Sequence, residues 1–153
     1  MEKIASFKIN HDTLEKGIYI SRIDNNVITY DIRMKLPNKG DYLTTAGAHT
    51  LEHLLATYLR NTGYKNEFVY IGPMGCRTGF YILTFDTLNA EDFIRLMQKA
   101  FEFICNFEGE IPGTAPWECG NYKDHNLNDA KIVAGDMCDI LANYTTEKLK
   151  YKE

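Results

Sequence analysis

Apolar residues recur at every second position in one part of the chain and at every third or fourth position elsewhere. Over residues 27–36 the alternation is clean: Ile28, Tyr30, Ile32, Met34 and Leu36 share one face, and Thr29, Asp31, Arg33 and Lys35 the other. A period of two describes a strand with one face on a core and the other toward solvent or a ligand. Residues 18–23 read as a partner strand, and Asp24, Asn25 and Asn26 between them as the turn of a hairpin. Residues 67–71 and 80–85 read as two more strands. They flank Gly72, Pro73, Met74, Gly75, Cys76, Arg77, Thr78 and Gly79, where the backbone must bend sharply or approach another group closely.

Helical spacing appears three times. In residues 48–61, Leu51, Leu54, Leu55, Tyr58 and Leu59 fall on one side; Thr44 or Thr45 is placed to cap the start and Gly63 to end it in a left-handed conformation. Asn89 is placed to cap a second helix running to about Phe107, with Glu91 and Asp92 in its first turn and Phe93, Leu96, Met97, Ala100, Phe101 and Ile104 as the buried stripe. A third is predicted over residues 128–143, with Val133, Met137, Ile140, Leu141 and Tyr144 at core spacing. Residues 1–12 read as irregular. Residues 108–119, with Pro112, Gly113 and Pro116, read as a long loop in which Trp117 is the packing anchor, and residues 145–153 as a frayed charged end. Strands and helices come in blocks. The pattern therefore predicts an α+β fold, an antiparallel sheet packed against about three helices, in a single domain spanning residues 1–153.

Composition adds limits. An apolar share of 44% and a charged share of 25% are those of an ordinary globule, and 153 residues suffice for a hydrophobic core. A net charge of −4 without a basic stripe speaks against a nucleic-acid partner. No apolar run approaches the roughly 18 residues of a membrane span, and the first residues lack the apolar centre of an export signal. A cytoplasmic protein is expected, with the scattered Cys76, Cys105, Cys119 and Cys138 as reduced thiols.

The candidate chemistry centres on His49, Thr50, Leu51, Glu52 and His53. At about 100° per residue, with His49 at zero, Glu52 falls at roughly 300° and His53 at roughly 40°, opposite the apolar stripe near roughly 200°. Two imidazoles and a carboxylate thus share one helix face, the H-x-x-E-H arrangement of a metal site with an adjacent base. A catalytic metal needs three protein ligands and an open position. The third ligand is open between Cys119, Cys76, His11, His125 and a carboxylate. Cys105 and Cys138 fall in or beside helix stripes and read as core residues. Cys76 sits in the glycine-rich bend beside Arg77, and reads either as a thiol that this positive charge shifts toward the thiolate or as a small residue buried at a tight turn. Glu52 is a candidate general base. Arg33 is a candidate for gripping a carboxylate bidentately, or for pairing with Asp31.

These segments resemble the LuxS family of S-ribosylhomocysteine lyases. The matching blocks, in order, are Ser6-Phe7 with His11; Tyr30-Asp31-Ile32-Arg33; His49-Thr50-Leu51-Glu52-His53-Leu54-Leu55-Ala56; Pro73-Met74-Gly75-Cys76-Arg77-Thr78-Gly79-Phe80-Tyr81; and Glu118-Cys119-Gly120, followed by His125 and Leu127. The resemblance implies a divalent metal on His49, His53 and Cys119, ferrous iron by preference with zinc or cobalt able to replace it. It implies Glu52 and Cys76 as proton-transfer groups, and Ser6, His11, Arg33 and Gly75 as the substrate-binding residues. It also implies a homodimer with active sites at the interface. The implied activity cleaves the thioether of S-ribosylhomocysteine to homocysteine and 4,5-dihydroxy-2,3-pentanedione, the autoinducer-2 precursor, which places the chain in quorum-sensing signal synthesis and homocysteine recycling.

Three positions depart from the family's usual pattern: Tyr70 and Gly72 stand where an acidic residue and a serine are common, and Asn126 follows His125 in place of aspartate. These concern substrate binding, and the metal and proton-transfer positions are intact. A metallohydrolase with the same helix motif is the alternative, but it leaves Cys76 and its bend unexplained. A non-catalytic metal-binding module is another, and it requires a closed set of four ligands.

Overall fold

The computed structural model describes residues 1–152. Strands β1 (Gly17–Asp24) and β2 (Val27–Arg33) form the predicted hairpin, followed by helix α1 (Thr45–Leu59), strands β3 (Phe68–Pro73) and β4 (Gly79–Phe85), and helices α2 (Ala90–Cys105) and α3 (Leu127–Leu141). The four strands make one sheet in the order β1-β2-β4-β3, with every neighbouring pair antiparallel. The fold is the α+β arrangement expected, with three helices beside the sheet.

The alternating positions of β2 set the inner face. Tyr30, Ile32 and Met34 are fully buried, with Phe80 and Ile82 from β4 and Ile71 from β3, against the leucines of α1 and the apolar stripe of α2. Tyr30 stacks on Phe93 with ring centroids 3.7 Å apart. Leu36 lies beyond the end of β2 and is exposed. The strand stops because Met34 and Lys35 both donate their backbone N–H groups to one acceptor, the Thr78 carbonyl.

The helix starts follow the side-chain caps. Thr44 Oγ1 accepts from the Gly47 N–H, Asn89 Oδ1 from Asp92 and Asn126 Oδ1 from Asp129. Gly63 does not end α1 as expected. The helix closes at Leu59 with Arg60 in the right-handed region, and side chains satisfy its last carbonyls: Asn61 Nδ2 donates to Thr57 O at 2.6 Å and Thr62 Oγ1 to Leu59 O at 2.8 Å. No left-handed residue is needed there.

Three further expectations change. Thr146–Leu149 forms a short 3-10 helix, so this part of the C-terminal segment is not frayed. Leu149 is buried in the core, and Tyr151 stacks on Tyr19 with centroids 4.8 Å apart. Glu153 lies outside the described residues. The outward face of β2 is correspondingly covered, with Asp31 at 0% and Arg33 at 2% exposure. Trp117 is not a packing anchor within this chain, being 85% exposed.

In the glycine-rich bend the left-handed residue is Arg77 (φ 61°). Gly79 answers to a close approach. It pairs with Arg33 across β2 and β4, and a Cβ there would run into the Ile32 carbonyl oxygen and the backbone of Arg33. Gly79→Ala is expected to cost about 1–3 kcal/mol of stability through overpacking, seen as a lower urea midpoint. An unchanged midpoint would show that the two strands separate freely at that register.

Candidate metal centre

Helix α1 presents His49 and His53 on one side, one turn apart, with their rings edge to face at 4.6 Å. The long connection between α2 and α3 supplies what faces them. His49 Nδ1 donates to the Asp124 carbonyl at 2.8 Å, and His53 Nδ1 to the Pro112 carbonyl at 2.8 Å. A carbonyl oxygen only accepts, so each Nδ1 carries a proton, and in the neutral ring that leaves the lone pair on Nε2. His49 Nε2 faces Cys119 Sγ at 3.3 Å. Gly113 lets the loop close on His53. It has φ 75°, and a Cβ there would come within 3.0 Å of His53 Nδ1.

His49, His53, Cys119 and His125 each place a donor atom within 4.8 Å of the others. Backbone carbonyls behind two of these histidines fix tautomer and ring orientation, as partners behind metal-ligating histidines do. Two imidazole nitrogens and a sulfur are a donor set that a divalent transition metal accepts. The sequence left His125 among several alternatives; the structure adds it to the group. Its ring stacks on His49 at 4.0 Å. Its Nδ1 lies 2.9 Å from Thr50 Oγ1, and its buried Nε2 has no hydrogen-bond partner among the described residues. Burial, and then the His49 and His53 imidazoles, push His125 below the ordinary histidine pKa. Thr50 was not singled out from the sequence, although it lies about 60° from His53 on the helical wheel and so flanks the imidazole face.

Glu52 lies beside His53 on α1, half-buried and without an ion-pair partner among the described residues. Cys76 is exposed in the bend between β3 and β4 and is not part of the four-residue group. Besides Arg77, its neighbour in sequence, a second arginine stands near Cys76. Arg77 turns over the Tyr42 ring, 5.8 Å from its centroid, while Arg33 stands behind Cys76 through Thr78. Arg33 Nη1 donates to Thr78 Oγ1 at 2.7 Å, and Thr78 Oγ1 lies 3.1 Å from Cys76 Sγ, so the Thr78 hydroxyl proton is free to point at the sulfur.

Arg33 itself grips the Asp31 carboxylate with Nε at 3.1 Å and Nη2 at 2.7 Å. The Tyr151 hydroxyl donates to Asp31 Oδ2 at 2.7 Å; burial, and then the Asp31 charge, raise the Tyr151 pKa far above its ordinary value and keep it a donor. Of the other candidates, Ser6 is half-buried in the 3-10 turn Ala5–Phe7, and Gly75 is exposed. His11 is half-buried and bonds to the Ile9 carbonyl at 2.9 Å. Cys105 and Cys138 are half-buried against the core, as expected of structural thiols, and burial pushes the Cys138 pKa up.

An α+β domain with histidines on one helix and a loop cysteine before the next is the frame of a metal-dependent enzyme. The comparisons narrow this class. The model of the S-ribosylhomocysteinase (LuxS) family matches residues 4–148. The S-ribosylhomocysteine lyase of Finegoldia magna is 48% identical over 100% of both chains. That of Clostridium acetobutylicum is 46% identical over 100% of both, and that of Borrelia garinii subsp. bavariensis 49% identical over 99% of both. The chain belongs to the LuxS family.

Proposed function

We propose that this chain is an S-ribosylhomocysteine lyase, acting as one domain, and that it releases homocysteine and 4,5-dihydroxy-2,3-pentanedione, the precursor of autoinducer-2. The observation that carries the reading is the juxtaposition of His49, His53 and Cys119, with Glu52 in the same helical turn as His53, in a chain that matches lyases over its full length. His49, His53 and Cys119 hold one divalent metal, for which ferrous iron is the favoured ion and zinc or cobalt a substitute. When bound, that ion supplies Lewis acidity at a substrate carbonyl oxygen.

The thioether carbon of the substrate has no carbonyl beside it, so its sulfur leaves poorly. Glu52 and Cys76 solve this by moving protons. One takes a proton from the hydroxyl-bearing carbon next to the carbonyl; once a proton is returned to the former carbonyl carbon and a hydroxyl proton passes between the two oxygens, the carbonyl has moved one place along the sugar. Two such shifts bring the carbonyl next to the carbon that precedes the C–S bond. Loss of a proton there expels homocysteine thiolate, which is then protonated, and the enol left behind moves its hydroxyl proton to carbon to give the pentanedione. Electrons and atoms balance without a redox partner. Thr78 steadies Cys76, and Arg33 acts on it through that hydroxyl. Ser6, His11 and Gly75 complete the substrate-binding surface, and Arg33, buried against Asp31 and Thr78, supports it from behind.

The active unit in this reading is a homodimer in which Cys76 of one subunit reaches the histidines of the other. Support comes from the position of Cys76 outside the four-residue group, and from the exposed apolar side chains of Phe7 (69%) and Trp117 (85%). The cytoplasm, the reading from the sequence, suits its four free cysteines.

Glu52→Gln and Cys76→Ala are each expected to retain metal and fold while thiol release from S-ribosylhomocysteine falls about 10²-fold or more. Mixed dimers of the two variants should regain part of the activity, because one site in each then holds both groups. Full activity in either single variant would remove that residue from proton transfer. Inactive mixed dimers beside an active wild type would rule out the shared site.

A further inference from the structure

We propose that His125 is not a fourth ligand but a neutral hydrogen-bond donor, its Nε2–H aimed at the substrate oxygen that reacts beside His49, His53 and Cys119. This rests on the lyase reading above and adds a catalytic residue to it.

The three histidines differ in what lies behind them. His49 and His53 give their Nδ1 protons to carbonyl oxygens, which leaves Nε2 a lone pair. The partner of His125 Nδ1 is the Thr50 hydroxyl at 2.9 Å. Thr50 is fully buried, and its Oγ1 already accepts the Asn126 N–H at 3.0 Å. Its own proton therefore needs an acceptor, and among its hydrogen-bond partners His125 Nδ1 is the group that can accept. The hydroxyl donates, Nδ1 accepts, and the ring proton sits on Nε2. A protonated nitrogen has no lone pair to offer a metal.

The position of that N–H suits a donor. Nε2 is buried without a protein partner among the described residues, and His125 belongs to the four-residue group. Stacking on His49 at 4.0 Å and edge contact with His53 at 4.7 Å fix the ring against both ligand histidines. The Cys119 sulfur has donors of its own nearby, with the Asn121 N–H at 3.5 Å. When a proton leaves carbon beside the substrate carbonyl, negative charge gathers on its oxygen, and a preplaced N–H in a water-poor site stabilises that charge. Thr50 is a positioning residue, acting through the tautomer it imposes.

The test uses the full-length zinc-loaded protein with 15N-labelled histidine. Two-bond proton–nitrogen correlation is expected to show His49 and His53 as Nδ1–H tautomers with metal-shifted Nε2, and His125 as the Nε2–H tautomer without a metal shift. Thr50→Val should move the His125 proton to Nδ1. His125→Phe should leave the absorption spectrum of the cobalt-substituted protein unchanged and lower kcat about 100-fold, with KM little altered. His125→Gln, which can place an amide N–H near the same point, should recover much of that loss. A wild-type His125 protonated at Nδ1, or one whose Nε2 is metal-shifted, overturns the proposal whatever the variants do, and so does full activity in His125→Phe. The tautomers are read without turnover. A protein that shows them but releases no homocysteine therefore overturns the lyase reading, and with it the donor's substrate role, whereas an active enzyme with the other tautomer overturns this proposal alone.

Discussion

Asp31→Ala is expected to destabilise the chain by about 3–5 kcal/mol, the cost of stranding a buried charge. For a domain of this size that is a fall in Tm on the order of 10 °C. The Arg33 guanidinium is 2% exposed, and its Nε and Nη2 both end on Asp31. Removing the carboxylate leaves that cation with Thr78 as its remaining side-chain partner and takes away the acceptor of the Tyr151 hydroxyl. The loss should appear in thermal or urea denaturation. Asp31→Leu combined with Arg33→Met should recover part of it, since no charge is then left unpaired. A variant melting within a degree or two of wild type would mean that the outward face of β2 is open to water, as the alternation alone suggested.

His53→Ala is expected to abolish metal retention and with it thiol release. His53 is tied by Nδ1 to Pro112 and holds the loop against α1 as well as offering Nε2 to the centre. A ligand binding only the folded state stabilises it by about 4 kcal/mol at a thousandfold excess over its dissociation constant. Chelation of wild type should then lower Tm by about 10 °C. His53→Ala should sit at or below the chelated value and fail to respond to added metal. A variant that keeps one metal per chain would move the ligand role to another residue, His125 being the neighbour that could take it.

Much of this was legible in the chain because the signals were local. The alternation from Ile28 to Met34 set the inner face of β2, Asn89 stood at the start of its helix, and the His49–His53 spacing placed both imidazoles on one side. What was hidden depends on residues far apart in sequence. Tyr151 and Asp31 are 120 positions apart, so a short charged tail read as frayed when it covers a buried ion pair. His125 meets Thr50 across 75 positions, and no spacing rule links a loop histidine to a helix threonine. Gly63 suggested a left-handed cap, but Asn61 and Thr62 had side chains that could do the same work first. Arg77 is adjacent to Cys76 in sequence, whereas Arg33, which stands behind the thiol through Thr78, is 45 positions from that threonine and gives no local signal.

The most direct measurement is an anaerobic titration of metal-free protein with ferrous iron, following homocysteine release from S-ribosylhomocysteine at each addition. Release should rise with added iron and level off at one ion per chain, with no release before the first addition. Folded protein that binds one ion per chain and releases no homocysteine, or full release before any metal is added, would contradict it.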